Sequence, residues 1–183
     1  KKNISISIAR AGNVVGGGDW SNYRLIPDCI KSCIKNKKLL IRNPKSTRPW
    51  QHVMEVVYGY MTLAILLKKK RKLHGEAFNF GPSQAKNYNV ISLVKLMKKY
   101  WTQISWRTIQ GSKKNFYESN LLKLNCSKAK EKLKWRCILT FPETVSMVTD
   151  WYKLYYSGSK KIQEFSLNQI KKYETLLKSR PIK

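Results

Sequence analysis

Acidic residues are scarce in this chain: ten Asp and Glu stand against 37 Lys and Arg among 183 residues, a formal charge of +27. A balance this basic raises a polyanion as partner. The lysines, however, are spread through almost every segment rather than gathered in one stripe, beside abundant Asn and Ile. That pattern reads as compositional drift laid over an ordinary fold. It implies salt-sensitive, non-specific polyanion binding rather than designed nucleic-acid recognition. Long apolar runs are lacking too, and none approaches the roughly 18 residues of a transmembrane helix, so no membrane partner is expected. Histidine is limited to His52 and His74, and the four cysteines (Cys29, Cys33, Cys126, Cys137) have no metal-finger spacing. No metal site is expected. Cys29 and Cys33, four apart, can share a helix face as buried reduced thiols, and the cytoplasm is the compartment this implies. There is no signal peptide and no initiator Met, and the chain enters a buried-looking strand at Ile4. These features suggest the C-terminal piece of a longer protein.

What is present is a strand of alternating Ile and Ser that runs into Ala11-Gly12-Asn13-Val14-Val15-Gly16-Gly17-Gly18-Asp19-Trp20, with four glycines in seven positions. Glycine lets a backbone take positive φ and approach a ligand closely, and in open α/β sheets ligands sit on loops at strand ends. Asn13 is the polar side chain placed to hydrogen-bond such a ligand. A plain strand-to-helix turn, with glycine used only for geometry, fits the spacing equally well.

Periodicity predicts helices over 28–35, 54–67, about 89–101, 127–133, 141–157 and 165–177. Pro27 suits a first helical turn, Asn89 is a candidate N-cap, and Ser127 a second one. Short strands are expected at 39–41, 50–53, 77–80, 104–109 and 121–124, with a polar loop at 110–120. Strand-loop-helix units followed by small mixed elements give an α/β class, with few strands for a doubly wound sheet.

Seven motifs then occur in register. They are Arg10–Trp20, Arg24-Leu25-Ile26-Pro27-Asp28, Ile41-Arg42-Asn43-Pro44, Arg48-Pro49-Trp50-Gln51-His52-Val53, Phe78-Asn79-Phe80-Gly81-Pro82, Leu124–Ala129 and Thr149-Asp150-Trp151-Tyr152. Over nearly its whole length the chain resembles the C-terminal half of the CDP-glucose 4,6-dehydratase family, within the extended short-chain dehydrogenases/reductases. The resemblance implies the end of a Rossmann sheet plus a small mixed α/β substrate-binding domain. The divisions it suggests are 1–22 (sheet end and glycine loop), 23–157 (substrate-binding region with returning sheet elements) and 158–183 (helical tail).

The same resemblance implies a nucleotide-sugar substrate, CDP-glucose, with Asn13 and Arg48 on its diphosphate. Bidentate arginine suits that group. Arg24 and Leu25 begin the helix that carries the nucleotide, and Arg42 and Asn43 lie where base and ribose are expected. Asn79, Tyr117 and Glu118 are candidates for the far wall. For each arginine the alternative is a solvated surface charge, and Trp50 and His52 read as packing residues. Ala11 is the cofactor-side candidate. In the complete enzyme NAD oxidises C4 of the hexose, water leaves across C5 and C6, and the hydride returns at C6. This chain has no Gly-x-x-Gly-x-x-Gly after a first strand and no Tyr-x-x-x-Lys before Arg10. No catalytic residue is assigned within it, and it is expected neither to hold NAD nor to turn over alone. A missing N-terminal half and a homodimer through that half are the implied partners. Asn125 stands where the family has Asp, and Leu121 and the stretch 110–120 also depart from the pattern. A related epimerase or dehydratase with another nucleotide is the neighbouring alternative, a basic nucleic-acid module the one from another class.

Overall fold

Among the described residues six short strands pair two by two, every pair parallel. In this computed structural model residues 4–69, 71–82, 88–109 and 124–180 are described. Strand β1 (Ile8–Ala11) pairs with β5 (Ala77–Phe80), β2 (Asn13–Val15) with β4 (Trp50–His52), and β3 (Leu39–Ile41) with β6 (Trp106–Thr108). Parallel pairing needs crossover connections, and helices supply them. These are α1 (Leu25–Ile34), α2 (Val53–Lys69) and α3 (Val90–Tyr100), while α4 (Ser127–Leu133), α5 (Phe141–Tyr156) and α6 (Ile162–Ser179) follow the last described strand. None of the described helices is long and apolar enough to cross a membrane.

The apolar periodicity becomes two main cores. One joins α1, β3, α3 and α5 through Ile30, Ile41, Met97 and Tyr152; the other joins α2, β5 and α4 through Leu63, Phe80 and Leu133, with Trp135 just beyond α4. Cys29 and Cys33 share the buried face of α1, and burial pushes the Cys29 thiol up to about 12. A third cluster seats α6 on α5 and on the segment 138–139. Its polar centre is Glu55 of α2, fully buried, which accepts from the N–H groups of Ile138 (2.8 Å) and Leu139 (2.6 Å) and from the hydroxyl of Tyr173 (2.8 Å). Burial pushes its carboxyl above the usual range even against those three donors.

Two local details differ from expectation. The N-cap position of α4 is Cys126, without a side-chain cap bond, and Ser127 is the first helical residue rather than the cap; Asn125 before them accepts from the N–H of Ser127 through Oδ1 at 2.9 Å. The initial strand begins at Ile8, and Ile4 and Ile6 before it are exposed. Asn89 does cap α3, accepting from the N–H of Ser92 at 2.9 Å. The polar loop at 110–120 and the strand foreseen over 121–124 fall outside the described residues, apart from Leu124.

Candidate functional site: a cleft between the glycine loop and the α1 start

The chain brings the end of β1, the loop beyond it, the first turn of α1 and the 42–50 segment around one cleft of about 1110 Å³. Its construction starts at Gly12. The Gly12 N–H donates to the carbonyl of Phe80 (3.1 Å) and the Asn13 N–H to the carbonyl of Pro49 (3.1 Å). A Cβ on Gly12 would lie 2.6 Å from that Pro49 oxygen, so only glycine lets β2 and β4 close at this point. The β2–β4 register then sets Asn13 opposite Trp50, two residues beyond Arg48. Asn13 and Arg48 therefore come from separate segments to one edge of the cleft.

The 42–49 loop is held by α3. Pro44 and Ser46 carbonyls accept from the N–H groups of Ile91 and Val90, at 3.1 and 3.0 Å. Half-buried Arg48 donates through Nη1 to its neighbour Thr47's carbonyl (2.7 Å), which helps orient the side chain. Arg42 and Asn43 are exposed on the same loop. Across from them Arg24 caps the start of α1 and pairs with Asp19 at 3.5 Å. Burial raises the Asp19 carboxyl, but the hydrogen bonds from Ser21 and the charges of Arg24 and Lys31 together bring it below the ordinary value. Arginines 24, 42 and 48 and aspartates 19 and 28 line the cleft, an excess of positive charge beside a helix N-terminus. That arrangement suits an anion with several acceptor oxygens.

Of the residues singled out from the sequence, Ala11, Asn13, Arg24, Leu25, Arg42, Asn43 and Arg48 all line this cleft. Asn79 does not; its Nδ2 donates to the carbonyl of Asn125 at 3.0 Å. Tyr117 and Glu118 lie outside the described residues. Trp50 is buried in the first core, with its ring 6.2 Å from that of Phe141, and also floors the cleft. His52 is buried, its Nδ1 accepting from the N–H of Met54 at 3.3 Å. One residue that the sequence did not mark is Tyr23, at the cleft mouth beside Arg24.

The glycine run has a packing role as well. A Cβ on Gly17 would fall 2.1 Å from the ring of Trp151, and one on Gly16 2.9 Å from Val53. The loop presses on α5 and α2 at these two positions. Among the described residues no cluster of His, Cys, Asp or Glu could hold a metal ion.

A curated protein matches closely. CDP-glucose 4,6-dehydratase of Salmonella typhimurium is 38% identical over 156 residues, 85% of this chain and 43% of that enzyme, in its C-terminal part. The chain is a homologue of that dehydratase. It spans less than half of the dehydratase's length. No protein-family model matches it. Solved structures share the fold at lower identity. UDP-glucuronic acid 4-epimerase from Bacillus cereus, in complex with UDP-glucuronic acid and NAD, superposes at a TM-score of 0.69 with 19% identity, covering 84% of this chain and 46% of the epimerase. UDP-glucose 4-epimerase from Thermotoga maritima, with UDP-glucose, gives 0.68 at 21% identity over 85% and 48%. dTDP-glucose 4,6-dehydratase from Bacillus anthracis, in complex with NAD, gives 0.63 at 19% over 85% and 47%. The mixed α/β fold of this homologue of nucleotide-sugar dehydratases is thus that of the epimerase and dehydratase group.

Proposed function

We propose that this chain is the nucleotide-sugar-binding part of a 4,6-dehydratase that acts on CDP-glucose. The observation that carries the proposal is the juxtaposition of Asn13 and Arg48 by the Asn13–Pro49 backbone bond, on a cleft lined by three arginines. An amide and a guanidinium on one edge offer donors in the number and spread that two linked phosphates accept. Arg24 and the first turn of α1 face the same anion, and Arg42 and Asn43 take the nucleoside end. The similarity to CDP-glucose 4,6-dehydratase supports the choice of nucleotide and of reaction, formation of CDP-4-keto-6-deoxyglucose.

NAD would supply the redox step of that reaction, taking hydride from C4 and returning it at C6. The residues of this chain do not by themselves make a site for it. Among the described residues the glycine run is pressed against Trp151 and Val53 instead of opening a cradle at a helix N-terminus. The acid/base groups and the dinucleotide cradle are assigned to a further half of the kind that fills the rest of the relative's length. An unpartnered apolar stripe on α2 (Val57, Met61, Ile65) fits such a half.

Competition binding tests the proposal. CDP-glucose is expected to displace a labelled CDP probe better than UDP-, GDP- or dTDP-glucose does. Equal displacement by all four would shift the assignment to another nucleotide-sugar enzyme of the group. Displacement of the probe by single-stranded DNA but by no nucleotide sugar would overturn it.

A further inference from the structure

Three non-glycine residues among those described have positive φ: Tyr23 (62°), Asn36 (51°) and Lys134 (54°). Two are explained by the ends of helices. Asn36 follows α1 and donates its N–H to the carbonyl of Cys33, and Lys134 is the left-handed C-cap of α4. Tyr23 has no such reason, because it precedes a helix. Left-handed backbone is unfavourable for a bulky L residue. Nor does packing offset the cost, since Tyr23 is 96% exposed.

The bend is nonetheless held firmly on both sides. Asp19 accepts from the N–H of Ser21 and pairs with Arg24, and the Lys31 ammonium donates to the carbonyl of Trp20 and to Oδ1 of Asn22, at 2.8 and 2.7 Å. Behind them the Tyr152 hydroxyl grips Asp19. Strain kept in place by its surroundings, on the wall of a cleft, is a mark of function. Tyr23 lies on that wall with Arg24 and Leu25, and the 42–43 segment lines the same cleft.

We propose that the Tyr23 ring is a stacking platform for the nucleobase of the bound nucleotide. The inference rests on the nucleotide-binding function proposed above and adds a residue to it. A flat aromatic face held out into solvent gains only when another flat face covers it, and every nucleobase offers one. Stacking of this kind is tolerant of base identity. Tyr23 therefore sets affinity for nucleotides over base-free phosphates, and leaves the choice among bases to other residues.

The test is calorimetric titration of the chain with CDP and with inorganic pyrophosphate, which lacks the base. Tyr23→Ala is expected to weaken CDP binding by about 5- to 150-fold, the range measured for one stacked base, and to leave pyrophosphate binding unchanged. Tyr23→Phe keeps the platform and should stay within about twofold of wild type for CDP. Tyr23→Gly relieves the backbone, so its thermal midpoint should rise while its CDP affinity falls as for Tyr23→Ala. Unchanged CDP affinity in Tyr23→Ala would overturn the inference, and so would an equal loss of pyrophosphate affinity or a lowered midpoint in Tyr23→Gly. Failure of the wild-type chain to bind CDP would instead overturn the nucleotide-binding function on which it rests.

Discussion

The hydroxyl of Tyr152 binds both backbone groups of Asp19, accepting from its N–H at 3.0 Å and donating to its carbonyl at 2.6 Å. These two bonds cross 133 residues and tie the cleft rim to the C-terminal part of α5. Burial pushes the phenol up to about 12, so it remains a donor across the neutral range. Tyr152→Phe removes both bonds and leaves the ring in its core position. We expect a loss of about 1–3 kcal/mol in urea unfolding, together with weaker CDP-glucose binding as the Asp19–Arg24 rim loosens. Wild-type stability in the Phe variant would show that the rim stands without this anchor.

The contact between Gly17 and Trp151 gives a second expectation. Gly17→Ala puts a methyl group into the indole, and overpacking of this kind costs about 1–3 kcal/mol. Trp151→Leu should restore part of the loss when combined with it, giving a non-additive double-mutant cycle. Strict additivity in denaturant titrations would mean that the loop moves away from α5 without resistance.

Acid should unfold the chain in two stages. Burial lowers His52 from 6.5 to about 4, so it is neutral in the folded chain while the unfolded chain binds a proton. That contribution is complete above pH 6.5 and is lost as pH falls through about 4, up to about 3 kcal/mol. Glu143 is lowered to about 2, first by the Arg180 hydrogen bonds and then, against burial, by the Thr140 cap. Its contribution is complete above pH 4.5 and is lost as pH falls toward 2. Because the pair is largely solvated, about 1 kcal/mol is expected from it. Stability measured from pH 7 to 2 should lose its upper stage in His52→Gln and its lower stage in Glu143→Gln. An unchanged profile in either variant would contradict the corresponding assignment.

Helices were the legible part of this sequence, because a buried stripe repeats locally. The faces of α1 and α3 could be read from Ile26, Cys29, Ile30 and Cys33 and from Leu93, Val94 and Met97, all of them buried. Strand partners were not legible. The β1–β5 pair joins residues nearly 70 positions apart, and nothing in either segment names the other. The capping box of α5 lies in the sequence as Thr140-x-x-Glu143, with Pro142 in the first turn. Glycines 12, 16 and 17 read from the sequence as ligand-approach positions. Their neighbours Pro49, Val53 and Trp151 come from distant segments, so a packing role could be seen only once the chain was folded. Tyr23 carries no mark in the sequence for a related reason, since φ and exposure are properties of the fold.

Arg48 carries the binding expectation. Arg48→Ala should weaken CDP-glucose binding by about 1.5–3 kcal/mol, the scale of a hydrogen bond to a charged group. Arg48→Lys should recover part of this, since an ammonium keeps the charge but not the fork. An unchanged dissociation constant in Arg48→Ala would remove this residue from the site.

The most direct measurement is amide chemical-shift mapping of the chain during titration with CDP-glucose. The largest shifts are expected at Asn13, Arg48 and the first turn of α1, saturating together with a single dissociation constant. Shifts spread over the lysines of α6 and the end of α2, with Asn13 and Arg48 unmoved, would contradict the proposed site.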